Sequence, residues 1–344
     1  MSSADDRQLV LVVGVGRSGT SLLSGILGQL GLHIPQPEVN ANSTNPRGFG
    51  EPRWVVDFHT RLLKERRVTV NDARPAAWAD TGRSAESPAV ARELNDWLRA
   101  ELDRHGAVVV KDPRTSWFLP LWMRCSSDLG VPPVFVTMLR HPAETLASAQ
   151  KSYGTWQTPA SRAAAWLNVS LETELATRGQ RRAFVRYEDL LDDWRREVDR
   201  VGADLGMTLL TSIDPARAAQ VDAFVDPTLH RNRVRWVDLD DVPGRLQDMA
   251  DDVLSQLEGL AAPGGDTPAA QASLDTARAA FGELYAEAEA IAQSSITAAK
   301  KRVRSERKPP APLPSLRVRL TRRVPKRYRK RARGALRRLR GSRS

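Results

Sequence analysis

Cysteine is almost missing from this chain: Cys125 is the only one in 344 residues. An intrachain disulfide is therefore impossible, and a zinc site built on thiolates is excluded. A reducing compartment fits this composition. Long apolar runs are missing too. The first, from Leu9 to Val13, falls far short of the ~20 residues that span a bilayer. The opening residues, MSSADDRQ, have neither the basic segment nor the apolar stretch of a secretory signal, so a cytoplasmic location is expected. Histidine is scarce, with 5 in all. No two of them share metal-ligand spacing with acidic neighbours, and no metal is expected.

What is plentiful is positive charge, and it is unevenly placed. The chain has 52 Lys and Arg against 41 Asp and Glu, a net charge of +11. From Lys300 onward there are 20 basic residues and one acidic residue, Glu306, so the rest of the chain has 32 basic and 40 acidic residues. The body is mildly acidic and the basicity belongs to a tail.

Residues 8–13 form a short apolar run ending in glycine, which predicts a buried strand. Leu22, Leu23, Ile26, Leu27 and Leu30 then follow helical spacing. Further buried strands are expected at 107–110, 134–139 and 183–186, and helices at roughly 115–127, 142–152, 160–178 and 188–206. Strands alternating with helices predict an α/β fold: a P-loop-like parallel sheet with helices on both faces. Residues 35–53 are rich in Pro, Asn and Gly and are expected to be a loop. The expected organisation is a catalytic domain over 1–260, a helical extension over 261–305 and a Pro/Arg-rich tail over 306–344. In the extension, Leu274, Ala277, Phe281, Leu284, Ala288 and Ile291 form an apolar stripe expected to pack on the domain. Lys308–Pro314 reads as a stiff polyproline-type linker.

The turn after the first strand reads Gly14-Val15-Gly16-Arg17-Ser18-Gly19-Thr20-Ser21. Strand before and helix after is the setting of an anion site, because helix-terminal N–H groups and the helix dipole both favour a phosphate there. Three readings compete. Gly14-x-Gly16-x-x-Gly19 matches a dinucleotide fingerprint, but that needs an acidic residue ending a strand about 20 residues on. Here that region is the Pro/Asn-rich loop. The segment also nearly matches G-x-x-x-x-G-K-[ST], with Thr20 in place of the lysine that serves a nucleoside triphosphate. A P-loop kinase or hydrolase is the weaker for that loss. The third reading is an anion without a β/γ-phosphate chain.

The run GVGRSGTS resembles the 5′-phosphosulfate loop of sulfotransferases, in the RSGT form of tyrosylprotein and many bacterial enzymes. Three more segments match in order: Lys111-Asp112-Pro113-Arg114, Arg140-His141-Pro142 with Ser148 eight residues after the arginine, and Arg186-Tyr187-Glu188-Asp189-Leu190. The resemblance covers about residues 8–235. It implies a co-substrate, 3′-phosphoadenosine 5′-phosphosulfate (PAPS), and a hydroxyl acceptor, with no metal. Gly16, Ser18, Gly19, Thr20 and Ser21 are then expected at the 5′-phosphosulfate, Arg17 at the sulfonate, Lys111 at the leaving oxygen, and Arg140 with Ser148 at the 3′-phosphate. Tyr187 is expected beside the nucleotide.

Sulfuryl transfer needs a base for the acceptor, and Glu51 on its glycine-flexed loop resembles the base of tyrosylprotein sulfotransferases. Cytosolic members use a histidine, for which His59 and His33 are the candidates. His141 is expected beside the 3′-phosphate site. Phe224–Arg231 resembles a late family segment, from which Arg231 or Arg233 would close over the nucleotide. Trp54, Trp78, Trp117 and Trp156 are candidates to stack on a sugar acceptor. The tail at 315–344 interleaves Leu, Val and Tyr with Arg, a pattern suited to peripheral contact with an anionic membrane and to no specific nucleic acid. The remaining alternative is an inactive nucleotide-binding body targeted by that tail.

Overall fold

Valine-rich runs of five or six residues, too short for helices, build the centre of the molecule: β1 (Gln8–Val13), β2 (Ala107–Lys111), β3 (Val134–Leu139) and β4 (Arg182–Arg186). The computed structural model describes residues 7–42, 45, 47–153, 157–226 and 233–306. The four strands are all parallel, in the order β2-β1-β3-β4. The α/β parallel sheet expected from the strand–helix alternation is present.

The helices are α1 (Thr20–Gln29), α2 (Arg53–Arg66), α3 (Ala77–Gly82), α4 (Pro88–His105), α5 (Leu119–Asp128), α6 (Pro142–Tyr153) and α7 (Pro159–Ala176). They continue with α8 (Tyr187–Asp192), α9 (Trp194–Leu205), α10 (Thr208–Thr211), α11 (Pro215–Phe224), α12 (Gly244–Ala261) and α13 (Pro268–Glu306). Side chains alternate across a strand, so the sheet needs cover on both sides. Leu9, Leu11 and Val13 pack with α2, α4 and α5, whereas Val10 and Val12 pack with α1 and α9. A third cluster joins Leu139 and Phe184 to α7 and α12.

Three details differ from the sequence expectation. The helix expected over 188–206 breaks at Asp193, which leaves helical backbone and accepts the Arg196 N–H to cap α9. The helix expected over 115–127 starts as a 3-10 turn, Thr115–Phe118. The stripe of the last helix is buried at Leu274 and Phe281, whereas Ile291 is 85% exposed. The chain divides into two compact units, Met1–Tyr285 and Ala286–Ser344. No helix among the described residues is long and apolar enough to cross a membrane.

Parallel pairing sets where the chemistry-bearing residues end up. Val12 is opposite Lys111 and Val13 is opposite Thr137. The loop after β1, the Lys111 end of β2 and the Arg140 end of β3 therefore meet at one rim of the sheet.

Candidate active site

The loop between β1 and α1 turns sharply at two glycines. Gly14 has φ of 117°, and a side chain there would meet the Met138 carbonyl at 2.9 Å. Gly19, with φ of 95°, is the N-cap of α1, and a Cβ would meet the Tyr187 ring at 2.3 Å. Both positions need glycine, by backbone region and by space. Gly16 is different: an added Cβ would sit 3.5 Å from Pro113, an ordinary contact. Among the described residues no side chain caps α1, and the first N–H groups of a helix lack partners within it. Ser18 and Thr20 are buried.

On one side of the loop lies an ion pair. Lys111 Nζ donates to Glu51 Oε1 at 2.6 Å and to Ser21 Oγ at 3.2 Å. Both charged side chains are nearly shut off from solvent, at 3% and 11% exposure. Glu51 gets there because residues 37–39 and 50–53 are tied to each other and to α1. Val39 donates to the Glu51 carbonyl, Arg53 donates to the Pro37 carbonyl, and Ser24 of α1 donates to Gly50. α2 begins two residues after Glu51 and buries Val55, Phe58, His59 and Leu62, which holds the end of the segment.

On the other side, Arg17 has φ of 76°, unusual for a residue with a side chain. Its Nε donates to Ser148 Oγ at 3.0 Å. Arg140 Nη1 donates to the Arg17 carbonyl at 3.3 Å, and its Nε donates to Glu144 Oε2 at 2.8 Å. The Arg140 guanidinium lies 4.3 Å from the centre of the Tyr187 ring, a cation–π distance. Tyr187 is thus clamped between Arg140 and Gly19, and burial pushes its phenol above the ordinary value. Arg140 and Ser148, expected at one phosphate, both touch Arg17.

The structure revises several expectations. His59 is fully buried, with Nδ1 2.7 Å from Asp112 Oδ2 and Nε2 accepting from Trp122 Nε1 at 2.9 Å. Both ring nitrogens are used, so His59 is not a base for an acceptor. His33 stacks on His105 beside Glu101 and pairs in backbone with Val108, near the start of β2 and away from the Lys111 end. It is not at the rim either. His141 accepts from the Ala143 N–H and lies 3.4 Å from Asp251.

Asp112 does not pair with Lys111 but with His59 and Arg114. Burial alone would raise its pKa. The His59 hydrogen bond and the Arg114 charge outweigh that and hold it below 3.8. Trp117 is 1% exposed and donates to Val70 O. Trp78 stacks on Trp117, and Trp54 stacks between Phe58 and Trp97. These rings pack with the core cluster below the sheet, so Trp117 offers no face to a sugar. Trp156, Arg231 and the tail at 315–344 lie outside the described residues. Arg233 is exposed.

Glu144 was not anticipated in the sequence. Its place four residues after Arg140 on α6 is the signal that reveals it.

A family model described as the sulfotransferase family matches residues 9–211, more than half of the chain. Among solved structures, the sulfotransferase domain from the Synechococcus PCC 7002 olefin synthase is 18% identical. That match covers 75% of this chain and 98% of the other, with a TM-score of 0.40. The sulfotransferase domain from the curacin biosynthetic pathway is 15% identical, with 73% and 98% covered and a TM-score of 0.39. No curated protein gives a match.

Proposed function

Because this chain belongs to the sulfotransferase family, we propose that it moves the sulfuryl group of PAPS onto the hydroxyl of a carbohydrate, glycolipid or small molecule. The observation that supports this reading best is the Glu51–Lys111 pair beside Ser21. A carboxylate and an ammonium stand together at the start of the phosphate helix.

The residues present suit such a ligand. α1 is uncapped, and an anion at its N-terminus satisfies N–H groups that would otherwise need water. Lys111 borders the loop on one side, with Arg17 and Arg140 on the other. When bound, PAPS supplies an activated sulfonate whose leaving group is its 5′-phosphate oxygen. Gly16, Ser18, Gly19, Thr20 and Ser21 hold that end of the nucleotide, chiefly through backbone N–H groups. Arg140 and Ser148 hold the 3′-phosphate, and Tyr187 supports the loop from below. Arg17, hydrogen-bonded to Ser148, responds to both ends of the nucleotide.

Lys111 donates toward the leaving oxygen, where negative charge grows in the transition state. Glu51 accepts the proton of the acceptor hydroxyl. For that, its carboxylate exchanges the Lys111 ammonium for the hydroxyl, so one proton-accepting oxygen is released as the lysine turns to the nucleotide. The basic tail at 315–344 holds the cytoplasmic enzyme peripherally on an anionic membrane, at ~1 kcal/mol per basic residue near the surface.

Calorimetric titration with 3′-phosphoadenosine 5′-phosphate, beside ATP and NAD, tests the central reading. Micromolar binding of the 3′-phosphorylated nucleotide is expected. Binding of ATP or NAD in its place removes the assignment.

A further inference from the structure

Among the described residues, one group of side chains has the make-up of a metal site, and it lies away from the phosphate loop: His33, Glu101 and His105. Sequence spacing hides it, because His33 and His105 are far apart in the chain. The fold brings them together in two steps. The His33 N–H donates to Ala107 O at 2.8 Å and its carbonyl accepts from the Val109 N–H at 2.9 Å, so its backbone extends the outer edge of β2. Glu101 and His105 stand one turn apart near the end of α4, the helix that leads through Gly106 into the same strand. α4 is itself fixed by Leu94, Leu98 and Leu102 in the core.

The result is three donor side chains on rigid supports. The His33 and His105 rings stack with centres 3.4 Å apart and planes 8° from parallel. His33 Nε2 lies 3.6 Å from Glu101 Oε2. One ligand atom from each of the three lies within 4.8 Å of the others. Donors sharing one tetrahedral zinc at ~2.0–2.2 Å sit about 3.3 Å apart. Closing the difference takes a tilt of each imidazole, so that its in-plane lone pair converges on the ion, and His105 is exposed at the helix end with room to make it.

Two imidazoles and a carboxylate select a divalent transition ion over Mg²⁺ or Ca²⁺, which take oxygen ligands. Arg104, the neighbouring cation, is exposed to solvent, where its repulsion of a cation is screened.

We propose that His33, Glu101 and His105 bind one divalent transition-metal ion of the zinc type, with water completing the coordination. The ion takes no part in group transfer, because β2 separates His33 from Lys111 at its far end. It cross-links α4 to the residue from which the segment carrying Glu51 departs.

The test is titration of metal-free full-length protein with Zn²⁺, with Mg²⁺ in parallel. One equivalent of Zn²⁺ per chain at low-micromolar Kd is expected, with a rise in Tm that Mg²⁺ does not give. His105→Ala and Glu101→Gln, both outside the core, should each weaken binding by more than the ~10–100-fold that loss of an outer-shell partner costs. The His33 and His105 ring resonances of the wild-type protein should shift together on Zn²⁺ addition, a readout independent of variant folding. Absence of a stoichiometric site, or equal Zn²⁺ affinity in wild type and both variants, overturns the proposal.

Discussion

Lys111 and Glu51 face each other at 2.6 Å, almost without solvent, although 60 residues separate them in sequence. A buried pair of this kind is costly to break on one side only, at ~3–5 kcal/mol, because the remaining charge loses its partner. The two residues therefore have to be tested with isosteres and by separating binding from turnover.

Glu51→Gln keeps the shape and a hydrogen-bonding oxygen for Lys111 but loses the proton acceptor. Turnover should fall by ~10²–10⁴-fold, the usual contribution of a general base, while affinity for 3′-phosphoadenosine 5′-phosphate stays within a few-fold of wild type. Lys111→Met should lose turnover and nucleotide affinity together. Near-normal kcat in Glu51→Gln removes Glu51 as the base.

The 3′-phosphate role proposed for Arg140 and Ser148 is tested through nucleotide selectivity. Arg17 donates to Ser148, and Arg140 donates to the Arg17 backbone. Loss of either Arg140 or Ser148 should weaken a nucleotide with a 3′-phosphate far more than one without. A hydrogen bond to a charged group contributes ~1.5–3 kcal/mol, which is roughly 10- to 150-fold. Titrating Arg140→Ala and Ser148→Ala with adenosine 3′,5′-bisphosphate and with 5′-AMP gives the ratio directly. An equal loss for both ligands would show that these residues hold the loop and not the 3′-phosphate.

Gly19 and Tyr187 form a steric lock. A methyl group at position 19 would overlap the ring at 2.3 Å, in a backbone region that side chains avoid. Gly19→Ala should destabilise the protein by ~1–3 kcal/mol for the overlap alone, with further loss from the backbone. Tyr187→Ala by itself costs stability, because the ring is buried, but in that background Gly19→Ala should lose only the backbone part. Thermal melts of wild type, both single variants and the double variant close the cycle, and a Gly19→Ala cost that is the same with and without the Tyr187 ring refutes the ring as the cause.

Much of the sheet was legible because buried parallel strands are short, valine-rich and flanked by turns. β1 and β3 appear at the expected residues, and β2 and β4 differ by one residue at an end. α2, α4 and α12 are not legible as helices. Their exposed faces are heavily charged, and that charge obscures apolar positions such as Val55, Phe58 and Leu62 or Leu94, Leu98 and Leu102. The residues around the loop announced themselves by motif, but their partners did not. Lys111 meeting Glu51, and Asp112 meeting His59, are long-range contacts with no local signature. His59 looked available because of its place near the loop, yet it is on the core-facing side of α2 with Phe58 and Leu62.

That buried histidine gives a pH signature. Burial holds the His59 imidazole below its ordinary 6.5, although the Asp112 carboxylate pulls the other way. Nδ1–H donates to Asp112 and Nε2 accepts from Trp122, so the neutral ring satisfies both neighbours. As pH falls through 6.5, the unfolded chain takes up a proton at this residue before the folded chain does. Stability must therefore drop as pH falls, by up to ~1.4 kcal/mol per unit for one such group. The Asp112 contribution has the usual carboxylate sign: present above 3.8 and lost as pH falls below it. His59→Asn retains a donor for Asp112 but cannot titrate. Its absolute stability will be lower because the smaller side chain leaves a cavity. The slope is the diagnostic: between pH 6.5 and 5, denaturant-derived stability should fall less steeply in His59→Asn than in wild type. Parallel slopes would mean that the imidazole is protonated in the folded protein, contrary to the hydrogen bond it accepts from Trp122.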